Sequence, residues 1–203
     1  MKGKYNLTDK EYLEAVKRLS QICEENNIDY AIIGGAAVQI ILSQYIESRT
    51  TLQQQLRRTG DIDIAVDCSL EEMVLALNKA ATEGDIKNQG NNVIYIGNIG
   101  INYSTPGELK GFQDLHRQVI DDSKMVYIKL NNREVKTIVV NPEQLIAAKL
   151  SGSFKEKDQD DIQNLYFIMK RAGENIKEQR LKFWLEKLNK TELYQTFISL
   201  THS

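Results

Sequence analysis

Cysteine, proline, histidine and tryptophan are all scarce in this chain. Two cysteines, Cys23 and Cys68, in 203 residues build neither a disulfide framework nor a thiolate zinc cluster. Their scarcity fits a reduced, cytoplasmic protein. The two histidines, His116 and His202, have no carboxylate or cysteine at ligand spacing, which argues against zinc and against a hydrolase triad. Two prolines and twelve glycines set aside fibrous and low-complexity classes. No apolar run approaches the roughly 20 residues a membrane span requires. The opening MKGKYNLTDKEY has no apolar stretch of the kind a secretory signal needs, so neither span nor signal is expected. Charge of one sign is also missing. With 26 basic and 28 acidic residues the net charge is −2, which disfavours a dedicated duplex-binding protein.

What the chain does hold is 41 % apolar and 27 % charged residues, enough for a real core. Its length fits one large domain or one domain with a small appendage. Thr8 and Glu11 stand at capping-box spacing. Tyr12, Val16, Leu19 and Cys23 follow at helical spacing, predicting a helix over 9–25. Residues 28–33 form a β-branched strand, ended by Gly34-Gly35 and followed by a helix bearing Val38, Ile41, Leu42 and Tyr45. The polar stretch 47–58 predicts a loop or a helix extension. Asp61–Asp67 alternates polar with apolar, as a half-buried strand does. Ser69 and Glu72 form a second capping box. Short strands are expected at 93–96 and 99–103 around Gly97-Asn98, and at 125–130 and 135–140 around Asn131-Asn132. At Asn141-Pro142-Glu143-Gln144 the pattern becomes helical, with helices near 142–152, 158–172, 177–189 and 191–200. The expected organisation is an α/β domain over 1–140 with a helical region, 141–203, packed on it.

Asp61 and Asp63 carry the first chemical signal. Residues i and i+2 of a strand share a face, and two adjacent carboxylates repel unless a cation lies between them. Such a pair suits Mg²⁺, which takes one or two carboxylates plus phosphate oxygens. A solvent-facing polar stripe is the plainer explanation of the same pattern. Gly34-Gly35 lies between a strand and a helix, where backbone can approach a ligand and free N–H groups favour phosphate. Alone it is an ordinary tight turn, neither a Walker loop nor a dinucleotide fingerprint.

Taken together, YAIIGGAAVQIIL followed by RRTGDIDIAV closely resembles the signature of the nucleotidyltransferase superfamily, which includes DNA polymerase beta. The lead-in Arg57-Arg58-Thr59 and the later run from Lys157 to Ile162 are most similar to the AbiEii-type branch, which holds toxins of toxin–antitoxin and phage-defence systems. The resemblance implies an α/β fold with a mixed sheet flanked by helices and a C-terminal helical segment. It implies Mg²⁺-dependent transfer of a nucleotidyl group from a nucleoside triphosphate to a hydroxyl on RNA, protein or a small molecule. Gly34 and Gly35 would hold the triphosphate, with Arg58 and Thr59 beside them, and Asp61 and Asp63 would hold one or two metal ions. An antitoxin partner would follow from the branch.

Two departures from that pattern stand out. Residues 36–60 form a longer connection than compact members have, and the third carboxylate expected on a later strand is replaced by Asn102. An amide oxygen can ligate a metal but carries no charge and cannot act as base. Glu108 and Asp114 are alternatives, though no spacing favours either. Lys149 and Asp161 border the apolar stripes of their helices, as Asp158 does. Either Lys149 reaches the triphosphate with Asp161 in the site, or the two bridge their helices, since buried charges are usually paired. Arg49, Arg57 and Arg58 form either a solvated face or a wall for a phosphate-bearing substrate. Cys23 and Trp184 are expected in the core. Three functions stay open on sequence alone: a nucleotidyltransferase, a nucleotide-binding protein impaired in catalysis, and an interaction protein whose aspartates are merely polar.

Overall fold

The computed structural model describes residues 4–46, 56–81, 86–88, 92–108, 115–130 and 133–202. Its order is α1 (Lys10–Glu25), β1 (Tyr30–Ile33), α2 (Gly34–Ser43), β2 (Asp61–Val66), α3 (Leu70–Ala81), β3 (Ile86–Asn88), β4 (Val93–Ile96), β5 (Ile99–Ser104), α4 (His116–Asp121), β6 (Lys124–Leu130), β7 (Arg133–Val139), α5 (Pro142–Ser151), α6 (Glu156–Arg171), α7 (Glu178–Lys187) and α8 (Leu193–Thr201). The strands form one mixed sheet in the order β3-β4-β5-β2-β1-β7-β6. β1 and β2 run antiparallel, while β2–β5 and β1–β7 are parallel pairs. The strand bearing the aspartates is therefore central, with neighbours on both sides. That explains why its alternation of half-buried and buried residues stops after Ile64: Ala65 and Val66 are both fully buried.

α2 positions the candidate site. Its residues Ala36–Leu42 are all buried, because it packs on β1, β2 and β7 and is covered in turn by α5 and α6. Gln39 is the polar residue of that stretch, and each end of its amide is used. Its oxygen accepts the Leu7 N–H at 2.9 Å, and its nitrogen donates to the Arg57 carbonyl at 2.9 Å. Tyr5 and Thr59 exchange two backbone hydrogen bonds. The N-terminal segment and the lead-in to β2 are thus stapled together on α2. Beyond Asn141, α5 packs against α6, α7 and α8 around the fully buried Trp184, Leu181 and Leu185, with Phe197 nearly so. Cys23 lies in the core as expected.

Several local expectations are corrected. The Thr8–Glu11 capping box does not form. The Thr8 N–H and hydroxyl both turn back to the Asn6 side-chain oxygen, and Asp9 precedes the helix. Asn6 competes for the threonine locally, as side chains with short polar arms do. The Ser69–Glu72 box does form, with Ser69 N–H donating to Glu72 Oε2 at 2.8 Å and Glu72 N–H to Ser69 Oγ at 3.2 Å. At Asn141 the expected cap is present, with Asn141 N–H donating to Gln144 Oε1 at 3.0 Å, and the Asn141 amide nitrogen donates separately to the Asp122 carbonyl. β3 and α4 were not expected. Both are short, three and six residues, and neither is long enough to show a period. Residues 47–55 and Asn131-Asn132 lie outside the described residues. No helix among the described residues is long and apolar enough to cross a membrane.

Candidate active site

The site assembles where β1 gives way to α2. Gly34 has φ +63°, and a Cβ there would stand 2.6 Å from Asp63 Oδ2. Both facts require glycine. The conformation is left-handed, and the space a side chain would fill is taken by the carboxylate. Gly35 is crowded from the other side, where a Cβ would meet an Arg57 guanidinium nitrogen at 3.0 Å and Thr59 Oγ1 at 3.2 Å. The start of α2 is thus pressed between Asp63 and the Arg57–Thr59 segment, with its free N–H groups at the same end.

Asn102 lies across the β2–β5 ladder from Asp63, while the position across from Asp61 is Gly100. The Asn102 amide nitrogen donates to Asp61 Oδ2 at 3.0 Å and to Asp63 Oδ1 at 2.8 Å. Only the NH₂ end of the amide can face two carboxylates, so the orientation follows from charge. Burial pushes the Asp63 carboxyl above its ordinary value, and Asp61 adds to the rise while the Asn102 hydrogen bond opposes it. Beneath the pair, the Tyr12 hydroxyl lies 3.4 Å from the Asp61 carbonyl. Burial first, then Asp63 and Asp61, push its phenol upward, so Tyr12 is neutral.

A cleft of about 390 Å³ opens over Gly34, Asp63 and Asn102. Ser104 and Glu108 continue its wall along and beyond β5, and Gln144, Lys149, Ser153 and Asp158 face them. Ile33, Val119, Val140 and Leu145 supply apolar lining. Glu108 is held by the Thr105 N–H and hydroxyl and by the Asn92 amide, and the Thr105 bonds keep its carboxyl below the usual range.

Lys149 lines the cleft and is nonetheless paired. Its Nζ lies 2.7 Å from Asp161 Oδ2 and 3.1 Å from Asp158 Oδ1. Asp161 also accepts from Arg57 Nε at 3.1 Å and from Arg57 Nη2 at 2.9 Å. The bridge between α5 and α6 therefore exists, and Lys149 borders the cleft at the same time. Asp161 is almost wholly buried and does not line the cleft. Arg58 is exposed, donates to the Lys4 carbonyl and stands apart from the cleft lining. Thr59 is buried behind Gly35. Arg49 and Asp114 lie outside the described residues. The sequence pattern assigned Tyr12 and Gln144 only helix-forming roles and did not bring Ser104 forward. Ser104 was reachable, two residues beyond Asn102 on the same strand face; Gln144 and Tyr12 come from helices whose approach has no local signal.

No protein-family model matches this chain, and no curated protein does. Among solved structures the chain is similar to an antigenic nucleotidyltransferase-like protein from Paracoccidioides brasiliensis, at 16 % identity and a TM-score of 0.51 over 97 % of this chain and 96 % of that one. It is similar also to the antibiotic-resistance factor ANT(2'')-Ia in solution, at 15 % identity and a TM-score of 0.51 over 96 % and 97 % of the two chains. Likeness at this distance shows the fold. The chain has a nucleotidyltransferase-like α/β fold, a mixed sheet flanked by helices.

Proposed function

We propose that the chain binds a nucleoside triphosphate together with Mg²⁺ in this cleft and transfers its nucleotidyl group to a hydroxyl acceptor. One observation carries the reading: Asp63, with Asp61 beside it, is held against the glycine turn that opens α2. The N-terminus of α2 and the Asp63 carboxylate thus meet at one end of the cleft, and Asp61, outside the cleft lining, is tied to Asp63 through the Asn102 amide. The donor set fits a hard divalent cation, since both aspartates turn an oxygen to the same point and an amide now supplies the hydrogens there. Asp61 and Asp63 would hold the ion, and the Asn102 oxygen would join them after the amide rotates. When bound, such an ion neutralises charge on the phosphates and on the leaving group. The chain's own part is to receive phosphate oxygens on the N-terminus of α2, to present the Lys149 charge from the facing helix, and to close off water with the apolar lining.

Asn102 supports a second reading, a nucleotide-binding protein impaired in transfer. The position facing Asp63 is neutral and cannot accept the proton of an attacking hydroxyl. The toxin role and an antitoxin partner rest on the sequence resemblance around Arg57-Arg58-Thr59 and Lys157–Ile162, and RNA or protein is the acceptor that this branch suggests. Titration of each triphosphate with and without Mg²⁺ tests binding, and transfer of label from an α-labelled triphosphate to RNA or protein tests turnover. Metal-dependent binding with transfer supports the enzyme. Binding without transfer supports the impaired form, and no metal-dependent binding contradicts both.

A further inference from the structure

Lys149 has two carboxylate partners of different kinds. Asp161 is 2 % exposed, lies behind the cleft wall and is shared with Arg57. Asp158 is 14 % exposed and lines the cleft beside Lys149. The first partner is fixed by burial and by a second cation that would be left unpaired if it moved. The second holds Lys149 through one oxygen at 3.1 Å, while its other oxygen accepts the Lys155 N–H at the start of α6. Coulomb attraction and hydrogen bonding to Lys149 offset the cost of burying Asp158, and its carboxyl lies below the ordinary value.

We infer that Asp158 is an internal stand-in for phosphate: it occupies Lys149 in the free protein and is displaced from it when a triphosphate enters. The inference rests on the triphosphate reading above and adds a property to it. Asp161 supplies a permanent counter-charge that fixes where Lys149 stands, and Asp158 sets how readily its ammonium is surrendered. An anion entering the cleft must both separate Lys149 from Asp158 and accept a neighbouring carboxylate. Asp158 therefore weakens anion binding and makes the free cleft nearly neutral at this wall. It is a positioning residue that acts through Lys149.

The test compares wild type with Asp158→Asn, which keeps the shape and an oxygen for the Lys155 N–H while removing the charge. Inorganic tripolyphosphate without metal, and a triphosphate with Mg²⁺, are titrated into each. Asp158→Asn is expected to bind both probes about three- to tenfold more tightly, the size of one partly exposed charge contact. The gain is expected to vanish when Lys149→Met is added. A gain in affinity for a nucleoside lacking phosphates would point to the cleft in general and overturn the assignment. Equal or weaker tripolyphosphate binding by Asp158→Asn, with wild type still binding the Mg²⁺ triphosphate, overturns the stand-in role and leaves the triphosphate reading intact. Binding of no probe by any folded variant overturns the triphosphate reading, and the inference with it. Should Asp158→Asn fail to fold, Asp158→Ser carries the same expectation.

Discussion

Asn102 faces Asp63 directly across a parallel strand pair, and its amide nitrogen ties Asp63 to Asp61 at 2.8 and 3.0 Å. An uncharged group thus does in the free protein what a cation would do in a liganded one. It presents hydrogens to two carboxylates that would otherwise repel.

Replacing that amide exposes the repulsion. Asn102→Asp is expected to lower the metal-free melting temperature, because a third carboxylate faces two others with no donor between them. It is also expected to raise Mn²⁺ or Mg²⁺ affinity by about tenfold or more, since affinity at such sites rises with ligand charge. Calorimetry in chelator and then in metal checks both halves. A variant with unchanged metal affinity would show that the third ligand lies elsewhere.

Asp63→Asn should behave in the opposite sense. A carboxyl that holds its proton more tightly folded than unfolded stabilises the fold while protonated, and that contribution is lost as pH rises through the folded-state value. Asp63 is such a group, raised above 3.8 chiefly by burial. Near neutral pH without metal, Asp63→Asn is expected to melt at or above the wild-type temperature. The difference should shrink as the pH falls into the acid range where wild type regains the proton. A large loss of metal-free stability in the variant would make Asp63 a structural residue.

Gly34 and Gly107 separate crowding from backbone strain. Both have positive φ, but a Cβ at Gly107 meets nothing within 4 Å among the described residues, whereas at Gly34 it meets Asp63 at 2.6 Å. Gly107→Ala is expected to cost about 1 kcal/mol, and Gly34→Ala about 2–4 kcal/mol with loss of metal-dependent nucleotide binding. Denaturant titration of the two variants gives the comparison, and similar costs would mean that Asp63 yields easily.

Asp161 neutralises two cations from a buried position. Asp161→Asn is expected to destabilise by about 3 kcal/mol, the usual size for breaking a buried pair, or roughly 6–12 °C in melting temperature for a chain of this size. Arg57→Met, at a half-exposed partner, should cost less. Equal and small losses from both would show the network to be well hydrated.

Much of this was legible in the sequence, and the reasons are specific. Gly34-Gly35 and Asp61-x-Asp63 announce themselves because turn chemistry and strand period act within a few residues. The register that sets Asn102 against Asp63 depended on a parallel pairing across three intervening elements, and only the family resemblance brought Asn102 forward. Lys149 and Asp161 were visible as charges bordering apolar stripes. Their pairing was one of two open readings, and the structure shows that bridge together with the cleft-bordering Lys149 of the other reading, while Asp161 stays out of the cleft lining. Arg58 and Thr59 were drawn into the site by the resemblance of the Arg57-Arg58-Thr59 lead-in. In the structure Thr59 is bonded to Tyr5 and buried against Gly35, Arg58 is exposed, and it is Arg57 that makes the contact with Asp161. The Thr8 cap failed because Asn6 competed for the same groups, which spacing rules do not register.

The most direct measurement is isothermal titration of wild type and Asp63→Asn with each of the four common nucleoside triphosphates, with Mg²⁺ and with chelator, on protein shown to be folded by its melting transition. One-to-one binding of at least one triphosphate to wild type is expected in Mg²⁺, strongly weakened in chelator and in Asp63→Asn. Folded wild type that gives no metal-dependent heat with any of the four would contradict the triphosphate reading.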